Sequence, residues 1–382
     1  MNSKNLLLGF LGDGQLALML GEAAHAQGIE FLAFGEDAES PFAAKFPERH
    51  VLGKPDNANE LNDFARRCTV LTLENEFFSS AILRKLEKTS GTRVIPSPDD
   101  YAHFENKVAQ RRFYDSLGLS GPKWSVLNAE SVAVLKVPTV LKASQGGYDG
   151  YGVRIVEQKQ QLEKAMNDLG FAQGREILQE EKVSLKREFA QGAVFDGKGN
   201  ATLLPLVETV QKNGICEMVL SRSTLPSSEL EQITQTIRGM MMKISTTKLQ
   251  GLFNFEFFVT ETGEVLINEG APRPHNSQHL TLNASATSQF DLLVKFLATG
   301  EVEPGEIQAE PAVMVNLLGK SKGTEYVLKL PKLPDSVKIF PKLYLKKECR
   351  PGRKMGHLNL VDSTGREDLG LLASKILKEY EL

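Results

Sequence analysis

The sequence predicts an α/β chain, α+β overall, in three parts: an N-terminal open parallel sheet, an antiparallel-rich centre with helices, and a small β-rich C-terminal domain. Three observations predict it. The N-terminal third alternates short apolar runs with amphipathic segments, the pattern of strand–helix–strand units. The middle alternates apolar strands with turns such as Asp196-Gly-Lys-Gly and Thr262-Gly263, which suit hairpins. From about Gly300 the chain becomes proline-rich and lysine-rich with short strands. A length of 382 residues also fits two or three domains at roughly 150 residues each.

The elements follow in order. Leu6–Phe10 is a short apolar strand, followed by glycines and a helix from Gln15 to Gln27 that stops at Gly28. Ile29–Phe34 is a second strand, and Val70–Leu73 a later one behind a polar helix around Glu60–Arg67. The two prolines of Ile95–Asp100 punctuate the chain and set the first boundary, giving domains 1–98 and 99–300. Phe104–Leu117 reads as a helix with a basic, amide-rich face, ended by Gly118. Pro138–Ala143 and Gly152–Val156 flank a glycine-rich loop, within a subdomain of about 120–187. Further strands are Glu176–Gln179, Glu188–Phe195, Ala201–Val210, Gly251–Thr260 and Glu264–Glu269, with helices at Ser227–Thr246 and Ser285–Leu297. Ala312–Leu318 is a strand of the third domain, 301–382.

Composition excludes several classes. The 45 basic and 48 acidic residues leave a net charge of −3, which argues against the broad basic surface of a nucleic-acid binder. A local basic pocket for a phosphorylated small molecule remains open. Cys68, Cys216 and Cys349 are odd in number and form no CxxC pair, so reduced thiols are expected rather than a disulfide framework or a zinc site. Glycines and Asp13 interrupt the apolar start, and no apolar run reaches the roughly 18 residues that a membrane span needs. A soluble, cytoplasmic protein with no membrane partner is expected.

Three glycine and carboxylate signals carry the chemistry. Gly12-Asp13-Gly14-Gln15-Leu16-Ala17 is a GxGxxA pattern opening a helix, with Glu36 placed to hold a ribose. Alone it supports a nicotinamide- or flavin-dependent oxidoreductase only weakly, since any tight strand-to-helix turn selects glycine. The stretch Lys142-Ala-Ser-Gln-Gly146-Gly147-Tyr148-Asp149-Gly150-Tyr151-Gly152 sits between two strands and lacks the Walker order. Its N–H groups can close over a triphosphate while the strand lysine supplies charge. Glu256 and Glu269 lie on strands joined by a Thr-Gly turn, so both carboxylates aim at one locus with Asn268 beside them. Two carboxylates completed by nucleotide phosphates are what magnesium prefers. The bland alternative is a carboxylate paired with a lysine.

Together these residues resemble a family. Lys142 with GGYDGYG, the two acidic strands and NEGAPRPHNSQH at Asn268–His279 are similar to the ATP-grasp ligases. Within them, the likeness is to the 5-(carboxyamino)imidazole ribonucleotide synthase family, the ATPase subunit of phosphoribosylaminoimidazole carboxylase. GxxGxGQL near the start, SPxxxxxFENK ending at Lys107, SQF at Ser288–Phe290 and RPGRKMGHLNL at Arg350–Leu360 extend it over nearly the whole chain. The resemblance implies a pre-ATP-grasp, Rossmann-like first domain, a central ATP-grasp domain and a small C-terminal domain. It implies carboxylation of aminoimidazole ribonucleotide with ATP, Mg2+ and bicarbonate in purine biosynthesis, via carboxyphosphate, releasing ADP and phosphate. A homodimer is implied in the same way.

Roles carry over by position. Lys107 and Lys142 would contact the ATP phosphates, with the loop Gly146–Gly152 above them. Glu180, Glu181, Lys182 and Val183 match the adenine-binding hinge, and Glu188 the ribose-binding acid. Gln211 stands where the family has a histidine near the nucleotide. Glu256 and Glu269 would hold magnesium beside Asn268. Arg273, His275 and Asn276 would fix bicarbonate or carboxyphosphate, for which a guanidinium fork is suited. Gly14, Gln15, Glu76 and Tyr148, with Glu74 beside them, would serve the nucleotide substrate, and Lys346 and Arg353 its 5′-phosphate, with Lys354 as a helper. His275 and His279 stand at HxxxH spacing, but no HExxH glutamate accompanies them, so zinc is not expected. Tyr151 replaces a basic residue, and Gln278, Leu280 and Gly35 also depart from the pattern. A divergent relative with another acceptor, or a nucleotide binder without turnover, is therefore the competing reading.

Overall fold

The computed structural model describes residues 6–146, 152–212 and 214–382. The first sheet has five parallel strands in the order His50–Leu52, Glu30–Gly35, Leu7–Leu11, Val70–Leu73, Arg93–Ile95. Its central strands read as near-continuous apolar runs because helices cover both faces. Leu8, Phe10, Phe31 and Ala33 face the helix Gln15–Ala26, while Phe34, Leu71 and Leu73 face Leu61, Phe64 and Leu83 on the other side. Phe290, Leu293 and Leu297, of the helix Gln289–Thr299, join the first cluster and fasten this sheet to the centre of the molecule. Burial of each such side chain contributes about 2 kcal/mol.

A four-stranded antiparallel sheet follows, in the order Trp124–Val126, Ile177–Glu181, Thr139–Ala143, Val153–Val156. The largest sheet has ten strands. Its path runs Val265–Ala271, Gln250–Thr260, Leu185–Asp196, Val207–Lys212, Ile215–Leu220, Ala312–Leu318, Lys354–Val361, Lys338–Leu343. Off this path Ala201–Leu203 pairs with Leu185–Asp196, and Gly305–Glu306 with Ala201–Leu203. Ala312–Leu318 pairs antiparallel with Ile215–Leu220, so the sheet continues across residue 300 into the C-terminal segment. The architecture is thus mixed α/β with an N-terminal parallel sheet, as the strand and helix alternation predicts.

Local differences have local causes. The anticipated strand Ala201–Val210 breaks into Ala201–Leu203 and Val207–Lys212, because Pro205 cannot donate to a ladder. The helix expected at Phe104–Leu117 starts at Lys107, where the Asn106 side chain accepts from Ala109 N–H at 2.8 Å. The helix expected from Ser285 starts at Gln289, behind a Ser288–Asp291 capping box. Both anticipated turns are hairpin turns. In one, the Asp196 carboxylate accepts from Lys198 and Asn200 N–H at 2.7 and 3.0 Å, with Gly197 and Gly199 at positive φ.

Where the C-terminal segment closes on the centre, His357 is fully buried beside His279, and the Tyr344 hydroxyl lies 2.9 Å from its Nδ1. Burial holds the His357 imidazole down at about 3, helped by the Lys342 charge. An unfolded chain would titrate it near its ordinary value of 6.5. Between those values the unfolded state binds a proton that the folded state refuses, so stability falls as pH falls from 6.5 towards 3, by up to about 1.4 kcal/mol per pH unit. Urea unfolding followed from neutral to mildly acid pH should show a shallower slope in His357→Asn than in the parent. Equal slopes would mean that the buried imidazole is not the group responsible.

Candidate functional site

Between the four-stranded sheet and the ten-stranded sheet lies a cavity of about 480 Å³. Its apolar wall is Pro122, Val140, Val153, Ile155, Val183, Leu185 and Phe258. Its polar end carries Lys142, Glu188, Gln211, Glu256, Asn268, Glu269, His275 and Asn276, and Glu180, Glu181 and Lys182 line one edge. Residues from sequence positions far apart are therefore gathered into one cleft with an apolar and a charged end. Such a cleft suits a flat ring joined to an anionic tail.

The carboxylate pair owes its geometry to register. Glu256 and Glu269 are direct partners across the antiparallel strands Gln250–Thr260 and Val265–Ala271. The register then shifts, since Phe257 faces Ile267. Asn268 is the extra residue of this bulge, which lets Asn268 and Glu269 both reach the cavity although regular neighbours would point to opposite faces. Alternation does the rest: Phe255 and Phe257 enter the core while Glu256 and Phe258 line the cleft.

Charges here are strongly coupled. Lys107 pairs with Glu269, and its ammonium is the main cause that holds the Glu269 carboxyl well below the usual range. Glu256 is pushed the other way by burial, then by the Glu269 and Glu188 charges. Glu188 is raised to about 7 by burial, with Glu269 adding to the shift. Three carboxylates thus surround the cleft, and Glu256 and Glu188 hold protons more readily than free carboxyls do. Among the described residues no cluster of three ligating His, Cys, Asp or Glu side chains is found, so a divalent cation here would need nucleotide phosphates to complete its oxygen shell.

Lys142 reaches Glu180 at 2.7 Å and Asn268 at 3.1 Å, and Arg111 meets the other Glu180 oxygen at 2.6 Å. Burial would raise Glu180, but the Lys142 and Arg111 charges overcome it and keep the carboxyl below its ordinary value. The side chain of Glu180 is therefore committed to an ion pair, and its carbonyl accepts from the Thr139 hydroxyl at 2.8 Å. Arg111 also donates to Ile267 O at 2.8 Å, tying this pair to the strand before Asn268.

The loop after Ala271 bridges the domains. Arg273 Nε lies 3.1 Å from Glu76 of the first domain, and Asn254 donates to Arg273 O at 2.9 Å. His275 Nε2 lies 3.8 Å from Glu256, with its Nδ1 2.9 Å from Ser277 Oγ. Asn276 exchanges two hydrogen bonds with Asn316, at 2.7 and 2.9 Å.

The remaining predicted residues fall outside this cavity. Gly14 caps the helix Gln15–Ala26, and the Glu74 carboxylate packs on Gly12 and Gly14 so closely that a Cβ on either would come within about 2.4 Å of it. A carboxylate buried against these glycines is a poor neighbour for an anionic pyrophosphate, which counts against the oxidoreductase reading. Arg353 donates to Glu348 O at 2.8 Å, and the segment carrying Lys346 is fastened to the first domain by Lys342–Glu22 and Lys347–Glu39 pairs. Gly146 and Gly152 flank a stretch whose residues Gly147, Tyr148, Asp149, Gly150 and Tyr151 lie outside the described residues.

The departures have physical settings. A Cβ at Gly35 would sit 2.1 Å from Asp13 Cγ, so Asp13 fills that corner, bonding His50 Nε2 at 3.1 Å and Asp37 N–H at 3.2 Å. Leu280 is fully buried in apolar contacts, and Gln278 donates to Pro205 O at 3.1 Å. Sequence reasoning missed Arg111, although the basic face of its helix was the signal. It placed Lys354 with the substrate phosphate, whereas Lys354 lines the cavity with Glu256. Among the described residues no helix is long and apolar enough to cross a membrane.

Comparison with known proteins supports a family assignment. Residues 6–104 match the ribonucleotide synthetase preATP-grasp domain, 112–290 the ATP-grasp domain, and 312–369 the phosphoribosylaminoimidazole carboxylase C-terminal domain. The N5-carboxyaminoimidazole ribonucleotide synthase of Synechocystis sp. is 32% identical, over 95% of this chain and 93% of its own. The N5-carboxyaminoimidazole synthetase of Staphylococcus aureus, complexed with ADP, has the same fold, with a TM-score of 0.82 over 99% of this chain and 98% of its own at 22% identity. The Aspergillus clavatus N5-carboxyaminoimidazole synthase, in complex with ADP and 5-aminoimidazole ribonucleotide, gives a TM-score of 0.81 at 24% identity, over 98% of this chain and 97% of its own.

Proposed function

The chain belongs to the N5-carboxyaminoimidazole ribonucleotide synthase family, and from that premise we propose how its cleft carboxylates 5-aminoimidazole ribonucleotide at the expense of ATP in purine biosynthesis. The observation that carries the reading is the cleft itself. An apolar wall, two lysines and a cross-strand carboxylate pair share one cavity and its edge.

Adenine lies against Val140, Ile155, Val183 and Phe258, hydrogen-bonded by the backbone of 180–183, and Glu188 takes the ribose. Lys142 and Lys107 neutralise the phosphates. Glu256, Glu269 and Asn268 would hold Mg2+, which would neutralise charge at the phosphate oxygens when bound. Bicarbonate attacks the γ-phosphorus, ADP leaves, and carboxyphosphate forms. Arg273, His275 and Asn276 hold that anion against the substrate. The exocyclic amine then takes the carboxyl group as the C–O bond to phosphate breaks, and the phosphate leaves with the proton the amine gives up. Little covalent help is required of the protein; alignment, charge and exclusion of water supply the rate.

Gly14, Gln15, Glu76 and Tyr148 contact the nucleotide substrate, while Lys346 and Arg353 bind its phosphate. The test is phosphate release from ATP, dependent on both aminoimidazole ribonucleotide and bicarbonate. No release above background from protein that binds MgATP would overturn the assignment. In the same assay Arg353→Ala should raise the KM for the ribonucleotide about tenfold or more, with the KM for ATP unchanged. If the ATP term moves instead, Arg353 belongs to the other site.

A further inference from the structure

Gln289 opens the helix Gln289–Thr299 and is completely buried, within a Ser-Gln-Phe stretch that the reading above leaves without a role. Its backbone is fixed from both sides. Gln289 N–H donates to Thr281 Oγ1 at 3.1 Å, and the Ser288–Asp291 capping box locks the first turn. The side-chain amide then grips one residue of the cleft at both ends. His275 N–H donates to Gln289 Oε1 at 2.9 Å, and Gln289 Nε2 donates to His275 O at 2.9 Å. The second hydrogen of Nε2 faces His279 Nδ1 at 2.9 Å.

This arrangement fixes the amide orientation, because a flipped amide would set acceptor against acceptor and donor against donor. It copies the two-bond exchange of an antiparallel bridge, yet His275 lies in the connection between the strand ending at Ala271 and the turn Asn276–Gln278. With its main chain held, His275 turns its ring so that Nδ1 meets Ser277 and Nε2 faces Glu256. Glutamate at this position could still accept from His275 N–H, but it would set a second acceptor against His275 O and force His279 into the tautomer that donates from Nδ1. Leucine would make none of the three bonds.

We propose that Gln289 is a positioning residue for the carboxylation step, setting His275 and, through it, Asn276 at the place where the bicarbonate-derived anion is held. The proposal rests on the reading that His275 and Asn276 bind that anion. A purely structural glutamine would affect stability alone. A positioning glutamine affects how bicarbonate is used and whether the anion is captured or lost to water.

The experiment compares Gln289→Leu, Gln289→Glu and His275→Asn with the parent in full-length protein. Three readouts are taken: KM for bicarbonate, affinity for ADP by calorimetry, and phosphate released per carboxylated product. Gln289→Leu should lower kcat/KM for bicarbonate by about tenfold to a hundredfold, the scale of a small misplacement of a reacting group. Phosphate release should exceed product formation, and ADP affinity should stay within about twofold of the parent. Gln289→Glu, of the same length and keeping one bond, should show a smaller change in the same direction. It decides the matter if the leucine variant does not fold. Equimolar phosphate and product, with unchanged bicarbonate KM, in a folded Gln289 variant would overturn the proposal. If His275→Asn itself leaves bicarbonate use unchanged, the anion-site reading fails instead.

Discussion

Glu269→Gln should lower turnover about a hundredfold to a thousandfold while the protein remains folded. The expectation follows from what surrounds the carboxylate. Lys107 and then Lys142 hold Glu269 charged, so it is the one member of the carboxylate group that carries its negative charge throughout the working pH range. Across the strand, Glu256 is pushed up by burial and by that same charge. Magnesium therefore depends on Glu269 first, and an amide supplies an oxygen ligand without the charge. Lys107 would lose its partner and remain available to the phosphates, so ATP affinity should change far less than the rate. Initial rates in a magnesium titration, alongside calorimetry with ATP, separate the two. An unaltered magnesium requirement would remove Glu269 from the metal site.

The same pair shows what the sequence discloses and where it stops. Glu256 and Glu269 are 13 positions apart, and the Thr262-Gly263 turn between them forces a hairpin, so their meeting is a local matter. The bulge at Asn268 is also local, but it is a register shift that no residue type announces. Lys354 reaches the same cavity from the far end of the chain through the pairing of Ala312–Leu318 with both Ile215–Leu220 and Lys354–Val361. That path depends on two long-range strand pairings, and no local pattern encodes either. Ile215–Leu220 is short, carries Glu217 and lies beside Gly214, so its period is weak. Gly35 is a different case. The chain has glycine there because Asp13, brought over from the neighbouring loop, already fills the space.

Glu180→Gln is expected to destabilise the ligand-free protein by about 3–5 kcal/mol, the cost of leaving a buried ion pair without one partner. The carboxylate is 2% exposed and balances two cations at once, Arg111 at 2.6 Å and Lys142 at 2.7 Å. Burial already lowers the Lys142 ammonium, and the Glu180 charge is the main opposition to that fall, ahead of Glu269. Arg111 has a second anchor in Ile267 O, whereas Lys142 keeps only the Asn268 side-chain oxygen at 3.1 Å. Glu269 is the remaining anion near Lys142 but is already paired with Lys107, so the anion that Lys142 can gain is the nucleotide. MgATP binds the folded state and stabilises any variant by mass action. In Glu180→Gln it also supplies the missing counter-charge, so the gain in melting temperature on adding saturating MgATP should exceed that of the parent. A variant that loses stability but gains no more from nucleotide than the parent would show that Lys142 does not face the phosphates. The ion pair would then tie two strands of the four-stranded sheet to the helix Lys107–Ser116 and nothing more.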